Sequence, residues 1–458
     1  MSFDPALAEI RFGTGLSPRV PPPQGVAEMV DSLATPDIIE TTVSVPPFPE
    51  AVLYTHALRQ LRRENRMAMG TEAADETQAR LMTLSQDAVE LRRQALAATY
   101  IRAAETGSGM RERLTAFWAD HFTVRAKNFL TQHLVAPYIE SAVRPYIAGP
   151  FSLLLKQAAL HPMMLDYLDQ TPSAGPNSQV VERRGGGLNE NLARELLELH
   201  TIGVGGPYAQ VDVRELAELL AGVVWHQDDT DPSYRAQQAE PGAETVLGRT
   251  FSPDARLSSV MEALEYLAVH PATAAHVSGK LARAFVSDAP PQDMVDEMAA
   301  AWLDTGGHLR AVYTAMLRHP AAWAPARRLV KPPFDFVASA LRALGLGQAE
   351  LGALPADRAW GQLGVPLRAM GQSWEEPVGP DGWPDEPAAW VTPQFYAARI
   401  AWAMATPDRL MDLPDPRDFV GAALGPLGSP EVQRAAAAAE TRAEGVGVVL
   451  ASPDFQRR

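Results

Sequence analysis

The sequence predicts a mainly α-helical protein, a single large multi-helical array with a small β-hairpin or flap near residues 226–251. Three observations lead there. Apolar residues recur at three- and four-residue steps through most of the chain after residue 50, the period of an amphipathic helix. Strand-like patterning is confined to one short run, AETVLGRTF. Stretches rich in proline and glycine separate the periodic runs at irregular intervals, and no repeat of fixed period is visible.

The elements follow in order. Residues 1–50 are rich in proline and poor in periodicity. RVPPPQG and SVPPFPE read as extended segments, so an arm wrapping the surface of one helical domain, 51–458, is expected. AVLYTHALRQLRRENRMAM opens the helical part. DETQARLMTLSQDAVELRRQALAATYIRAAE continues it as a long, partly exposed helix with charges between its apolar positions. GSGM breaks the pattern, and RERLTAFWADHFTV, YIESAVRPYIAG and FSLLLKQAALHPMMLDYLDQ read as the next helices. Residues 171–187 are a loop by composition. GLNENLARELLELHTIG and DVRELAELLAGVVW follow it, and periodicity then lapses over 226–251. Helices resume at RLSSVMEALEYLAVHP and run to a last one near 430–452, interrupted by a loop rich in Pro, Gly and Trp at 371–390.

Composition removes several classes of function. A hydrophobic fraction of 46% and a charged fraction of 21% are those of an ordinary folded chain. The net charge of −15 argues against a general nucleic-acid binder and against attachment to an anionic membrane surface. With no cysteine there are no disulfides, thiolate metal sites or cysteine nucleophiles. No run of 18 apolar residues suggests a membrane span. The first residues lack the basic and apolar regions of a secretory signal, so a cytoplasmic protein is expected, with export alongside a partner as the alternative.

The polar helix carries the strongest chemical signal. At about 100° per residue, Leu188, Leu192, Leu196 and Leu199 fall within about 80° of one another and form a core stripe. Asn191, Glu195 and Glu198 gather on one flank, while His200 and Asn189 lie on the other. Glu195 and Glu198, at i and i+3, are placed to share a cation or to hold an arginine. Three readings stay open: a structural hydrogen-bond network, a metal or catalytic carboxylate site, and an exposed helix with pairs such as Arg194–Glu198. A metal site that also used His200 would need a kinked helix.

In RERLTAFWADHFTV, the residues Leu114, Phe117, Trp118 and His121 follow i, i+3, i+4, i+7 spacing. His121 is therefore expected on the buried face, where an imidazole needs a partner. Glu195 or Glu198 would suit. The expected centre combines His121, Asn191, Glu195 and Glu198 as catalytic residues, or His121, Glu195 and Glu198 as ligands of a divalent metal. Trp374, Asp381 and Trp383 of the late loop are candidates for covering it and binding substrate; loop anchoring by buried tryptophans is the alternative. His161, followed by proline, reads as a helix start, with Asp166 and Asp169 nearby as capping acids or cation ligands. RRGGGLNEN matches neither the P-loop nor the dinucleotide pattern, and no G-x-S-x-G elbow is present.

Taken in order, RFGTG, FWADHFTV, HPMMLDYLDQ, SAGPNS, GLNENLARELLELHTIGV, ELAELLAGVVW, TVLGRTF, KLARAFVSD, KPPFDFVASALRALG, GPDGWPDEPAAWVTPQ and VLASPDFQRR resemble the bacterial family called domain of unknown function 1800 (DUF1800) over nearly the whole chain. The run NENLARELLELHTIG is the most specific of these. The resemblance implies a helical protein with no assigned activity and no catalytic residues to carry over. It also implies a partner of the DUF1501 type, a family similar to sulfatases and alkaline phosphatases. Two functions are therefore expected side by side: an enzyme or metal-dependent protein, and a non-enzymatic maturation or escort factor that uses the flap and the N-terminal arm as contact surfaces.

Overall fold

A computed structural model describes residues 3–226, 229–252 and 257–458. Helices dominate. Among the described residues the strands form two small antiparallel pairs, Val223–Val224 with Ser233–Tyr234 and Glu244–Val246 with Arg249–Phe251. The second pair is the hairpin expected from AETVLGRTF. Its turn puts Leu247 at φ 48° and Gly248 at φ 76°, left-handed at both positions, the turn that matches the twist of paired strands. Leu247 lacks a glycine's freedom, and two bonds hold it there. Its N–H donates to Asp212 Oδ1 (2.7 Å) and its carbonyl accepts from the Tyr266 hydroxyl (3.0 Å). Of the expected flap, residues 227 and 228 lie outside the described residues.

Many helices begin at a capping side chain followed by proline. Asp4, Thr392, Asp415, Ser429 and Ser452 each accept from a backbone N–H two or three residues ahead, with proline next in sequence. Proline suits the first helical position because it has no N–H to leave unpaired and its φ is already helical. His161, His270 and His319 use the same device. The Nδ1 of each accepts from the N–H two residues on, at 3.2, 3.1 and 3.2 Å, ahead of Pro162, Pro271 and Pro320.

The first 50 residues differ from the expected extended arm. They hold helices Pro5–Arg11, Val26–Ser32 and Ile38–Thr42, and the first is buried from Ala6 to Arg11. Arg11 explains the burial: its Nη1 and Nη2 donate to the carbonyls of Ala322 (2.7 Å) and Ala326 (2.8 Å). Phe12 then packs against Phe285 and Trp323. The prolines of this segment mark helix starts and turns, and the short helices gain their stability from tertiary contacts that no local periodicity announces.

The apolar interior falls into two large clusters. One gathers Phe12, Trp118, Phe122, Phe151, Leu196, Phe285 and Trp302; the other gathers Tyr100, Phe336, Leu367, Trp402 and Phe455. In the first, Trp118 Nε1 donates to the Tyr313 hydroxyl (2.7 Å), which donates to the Ile147 carbonyl (2.8 Å), so the polar atoms of both large rings are satisfied. Helix Ala74–Glu105 is largely exposed over its first half, where it pairs with Phe48–Ala68, and buried from Ala95 onward. At its end the fully buried Arg342 donates to the carbonyls of Gly15 (2.7 Å), Ala104 (3.0 Å) and Thr106 (3.0 Å), tying the N-terminal segment to the second cluster. No helix of the described residues is long and apolar enough to cross a membrane.

Candidate functional site

Helix Gly109–His121 has two working faces. Leu114, Trp118 and His121 point into the first core cluster, and His121 is 3% exposed. About 100° round the helix, Arg113, Ala116, Phe117 and Asp120 line a half-open cavity of about 260 Å³. The opposite wall comes from residues around the second cluster and from the late loop, including Phe334, Leu367, Trp374, Trp383 and Trp390. The cavity thus opens at the seam between the two cores, a common place for a small-molecule site.

The core face accounts for His121. Its Nε2 lies 3.2 Å from the carbonyl of His200. A carbonyl only accepts, so the ring proton sits on Nε2 and Nδ1 carries the lone pair. Burial, aided by the Lys280 charge, holds the imidazole neutral by pushing its pKa well below the usual range. The expected glutamate partners are elsewhere. Glu198 accepts from Arg194 Nη1 (3.1 Å) and is also met by the Tyr208 hydroxyl. Asn191 is exposed, with its backbone N–H bonded to Asn189 Oδ1 (2.9 Å).

The physical reason is the shape of the polar helix. It is α-helical from Asn191 to Glu195 and then widens into a π turn, Leu196–His200. The wider turn slips the apolar stripe by a residue, so Leu197 is fully buried while Leu199 is only half-buried. The helix ends at His200, so the carbonyls of Leu199 and His200 have no helical partners, and two imidazoles approach them: His276 Nε2 at 3.4 Å and His121 Nε2 at 3.2 Å. The helix therefore departs from a regular α-helix through a π turn, and His200 points inward against Phe122 and His121 (ring centroids 5.0 and 5.6 Å), not toward the glutamates. Among the described residues, the acids and imidazoles close enough to share a cation are Glu215, Glu218 and Glu244; none of the three expected ligands belongs to that group.

The late loop meets the helix at Asp120. Trp383 N–H donates to Asp120 Oδ1 (2.9 Å). Gly382 makes this approach available: its φ is 82°, and a Cβ there would lie 2.5 Å from the same oxygen. Burial pushes the Asp120 carboxyl up to about 7; the Trp383 N–H and the Lys280 ammonium oppose that rise, while Asp385 and Asp381 add to it. Lys280, from helix Pro271–Phe285, is itself held below its ordinary value by burial, against the pull of Asp385 and Asp120. Glu195 joins the same field from the polar helix. Burial, then Glu198, then Asp381, raise it to about 7. Trp383 thus bonds to Asp120, Asp381 acts on both Asp120 and Glu195, and His121 lies on the core face of the helix.

The aromatic wall is ordered by stacking. Tyr100 stacks on Phe334 (4.6 Å) and Phe334 on Trp374 (5.6 Å). Arg92 fixes the loop behind them, donating to the Trp374 carbonyl (2.6 Å), to Glu375 Oε2 (3.3 Å) and to Glu376 Oε1 (3.0 Å). Trp374 Nε1 and Glu375 Oε1 are buried and have no hydrogen-bond partner among the described residues. Both residues line the cavity. Deeper in the wall, Glu112 and Arg144 form a two-pronged pair (2.7 and 2.8 Å), both buried.

Asp120, Lys280 and Glu375 are the residues that sequence reasoning did not single out. Asp120 left one signal: an acid in the last turn of a helix opposes the helix dipole and has to be held by something else. A family model described as Protein of unknown function (DUF1800) matches residues 11–457. Among curated proteins and among solved structures, nothing matches.

Proposed function

The chain belongs to the DUF1800 family of proteins of unknown function, and from its cavity we propose that it is an enzyme acting on a small molecule, with Asp120 as the acid–base group. The observation that carries this reading is the placement of the Asp120 carboxyl on an aromatic-walled cavity, anchored through one oxygen by a loop backbone. A carboxyl that titrates near neutrality gives and takes protons with little thermodynamic bias, which is what general acid–base catalysis requires. Lys280 is placed to steady the ionised form. Trp374 and Trp383 offer flat surfaces for a ring or a sugar face.

The test is to incubate the full chain and Asp120→Asn with a metabolite extract and to follow every compound by mass spectrometry. At least one compound is consumed or formed by the wild type and left unchanged by Asp120→Asn. If the wild type neither retains nor converts any compound, the reading fails.

A second reading, a non-enzymatic partner or escort of a DUF1501-type, sulfatase- or phosphatase-like protein, is favoured by one observation. The helical pair Phe48–Ala68 and Ala74–Glu105, with its connection, exposes Leu53, Met67, Met69, Met82 and Val89. Methionine-rich apolar surface suits a protein contact. Co-purification with the DUF1501-type protein, lost on Met67→Glu/Met69→Glu, supports it; no association at micromolar concentration removes it.

A further inference from the structure

Arg113 and Asp120 stand seven residues apart on helix Gly109–His121, so they share a face and lie about 10 Å apart along its axis. Both line the cavity, with Phe117 between them. Charge is unbalanced at the Arg113 end. Asp335 accepts from Arg113 Nη1 and from Arg458 Nη1 through the same oxygen, Oδ2. Lys331 and Arg399 stand within the field of the same carboxylate. Two buried guanidiniums, Arg113 and Arg458, therefore share one carboxylate, with Arg399 also in its field and Lys331 drawn toward neutrality by burial; all four are at most 7% exposed. Buried cationic charge in such excess is costly unless an anion joins it.

Donors remain unused at that end. Arg458 lies on the cavity wall, and its Nε has no hydrogen-bond partner among the described residues. Arg283 also lines the cavity and forms no ion pair with the described residues.

We propose that the Arg113 end of the cavity binds an oxyanion of the ligand, a carboxylate, phosphate or sulfate group, with Arg113 and Arg458 as its donors. This rests on the cavity being the small-molecule site proposed above, and it adds the ligand's class. The molecule carries an anionic group about 10 Å from the part that meets Asp120, with an apolar or flat portion lying along Phe117. Guanidinium groups suit this role because their planar fork matches two oxygens at once.

The probes are the free anions. Thermal unfolding of the full chain is followed in sodium phosphate, sodium sulfate and sodium acetate, each against sodium chloride at matched ionic strength. Phosphate and sulfate stabilise proteins generally by exclusion, in a way that does not saturate; a site saturates. The wild type shows a saturable rise in melting temperature with at least one anion. Arg458→Ala weakens that anion's affinity by about tenfold or more, the loss expected for a charge-assisted hydrogen bond. Arg113→Gln does the same, and if it does not fold, Arg458→Ala decides. Acetate acting alone assigns a carboxylate; phosphate or sulfate acting alone assigns a tetrahedral group. No saturable response in the wild type, or an equal response in wild type and Arg458→Ala, overturns the proposal. Asp120→Asn keeps the response, so a failure of acid–base chemistry leaves the anion site standing. A wild type that converts a substrate without any saturable anion response sinks the anion site alone.

Discussion

Asp120→Asn neutralises one carboxyl while keeping its shape and its capacity to accept from the Trp383 N–H. Burial lifts the Asp120 carboxyl from 3.8 to about 7. Its folded value therefore lies above its unfolded one. Between those two values the native chain keeps the proton and the unfolded chain releases it, so the native state loses stability as pH rises from about 4 to about 7 and the penalty is constant above that. A displacement of this size amounts to at most about 4 kcal/mol. Water entering the half-open cavity reduces it, and ~1–2 kcal/mol is the expected net effect. Asparagine carries no charge and escapes the penalty. Other groups that titrate in the same range, Glu195 and Glu375 among them, are present in both proteins and cancel in the comparison. Urea unfolding at several pH values between about 4.5 and 8.5 measures the difference. The variant is expected to gain ~1–2 kcal/mol on the wild type across that range, most of it below about pH 7. A difference that stays flat with pH refutes the reasoning.

Gly382→Ala places a methyl 2.5 Å from Asp120 Oδ1 at a residue whose φ is 82°; calorimetry is expected to show a loss of ~1–3 kcal/mol, and Trp383 emission to shift as the loop leaves the helix. Glu112→Gln deprives the buried Arg144 of its two-pronged partner; about 3 kcal/mol is the expected loss in urea unfolding, and a loss below about 1 kcal/mol contradicts a desolvated pair. Lys331 is lowered by burial to about 7, below its unfolded value, so the cost of its charge is full below about pH 7 and fades as pH rises toward 10. Lys331→Met is therefore expected to stabilise the chain by ~1–3 kcal/mol at pH 6, with the gain shrinking at pH 9; a gain that grows with pH has the wrong sign.

What the sequence made legible was local. AETVLGRTF declared its hairpin through its strand-like pattern, and His161 declared a cap through the proline beside it. The N-terminal segment was illegible because Arg11 finds its acceptors at Ala322 and Ala326, some three hundred residues away. The polar helix was legible as a helix but not in its detail. Nothing in ELLELH announces a π turn, and the slip it causes buries Leu197 in place of Leu199. His121, in turn, meets the carbonyl at the end of that helix and not a glutamate. The late loop stood out by its tryptophans and its GPDGW run, and Trp374 and Trp383 do line the cavity. Asp120, the residue they cover, sits 263 residues before Trp383 on a face one step round from the aromatic stripe. Periodicity finds the face a helix buries in its core; a face that lines a cavity leaves a fainter trace, here one acid in a last turn.

On the function proposed above, the Asp120 carboxyl, and not the His121 imidazole, handles the proton in the seam cavity. Carbon NMR of the full chain with 13Cγ-labelled aspartate tests it most directly. One resonance is predicted to titrate with a midpoint of about 7 and to vanish in Asp120→Asn. If every aspartate signal has moved by about pH 5, near the ordinary range, the claim is contradicted.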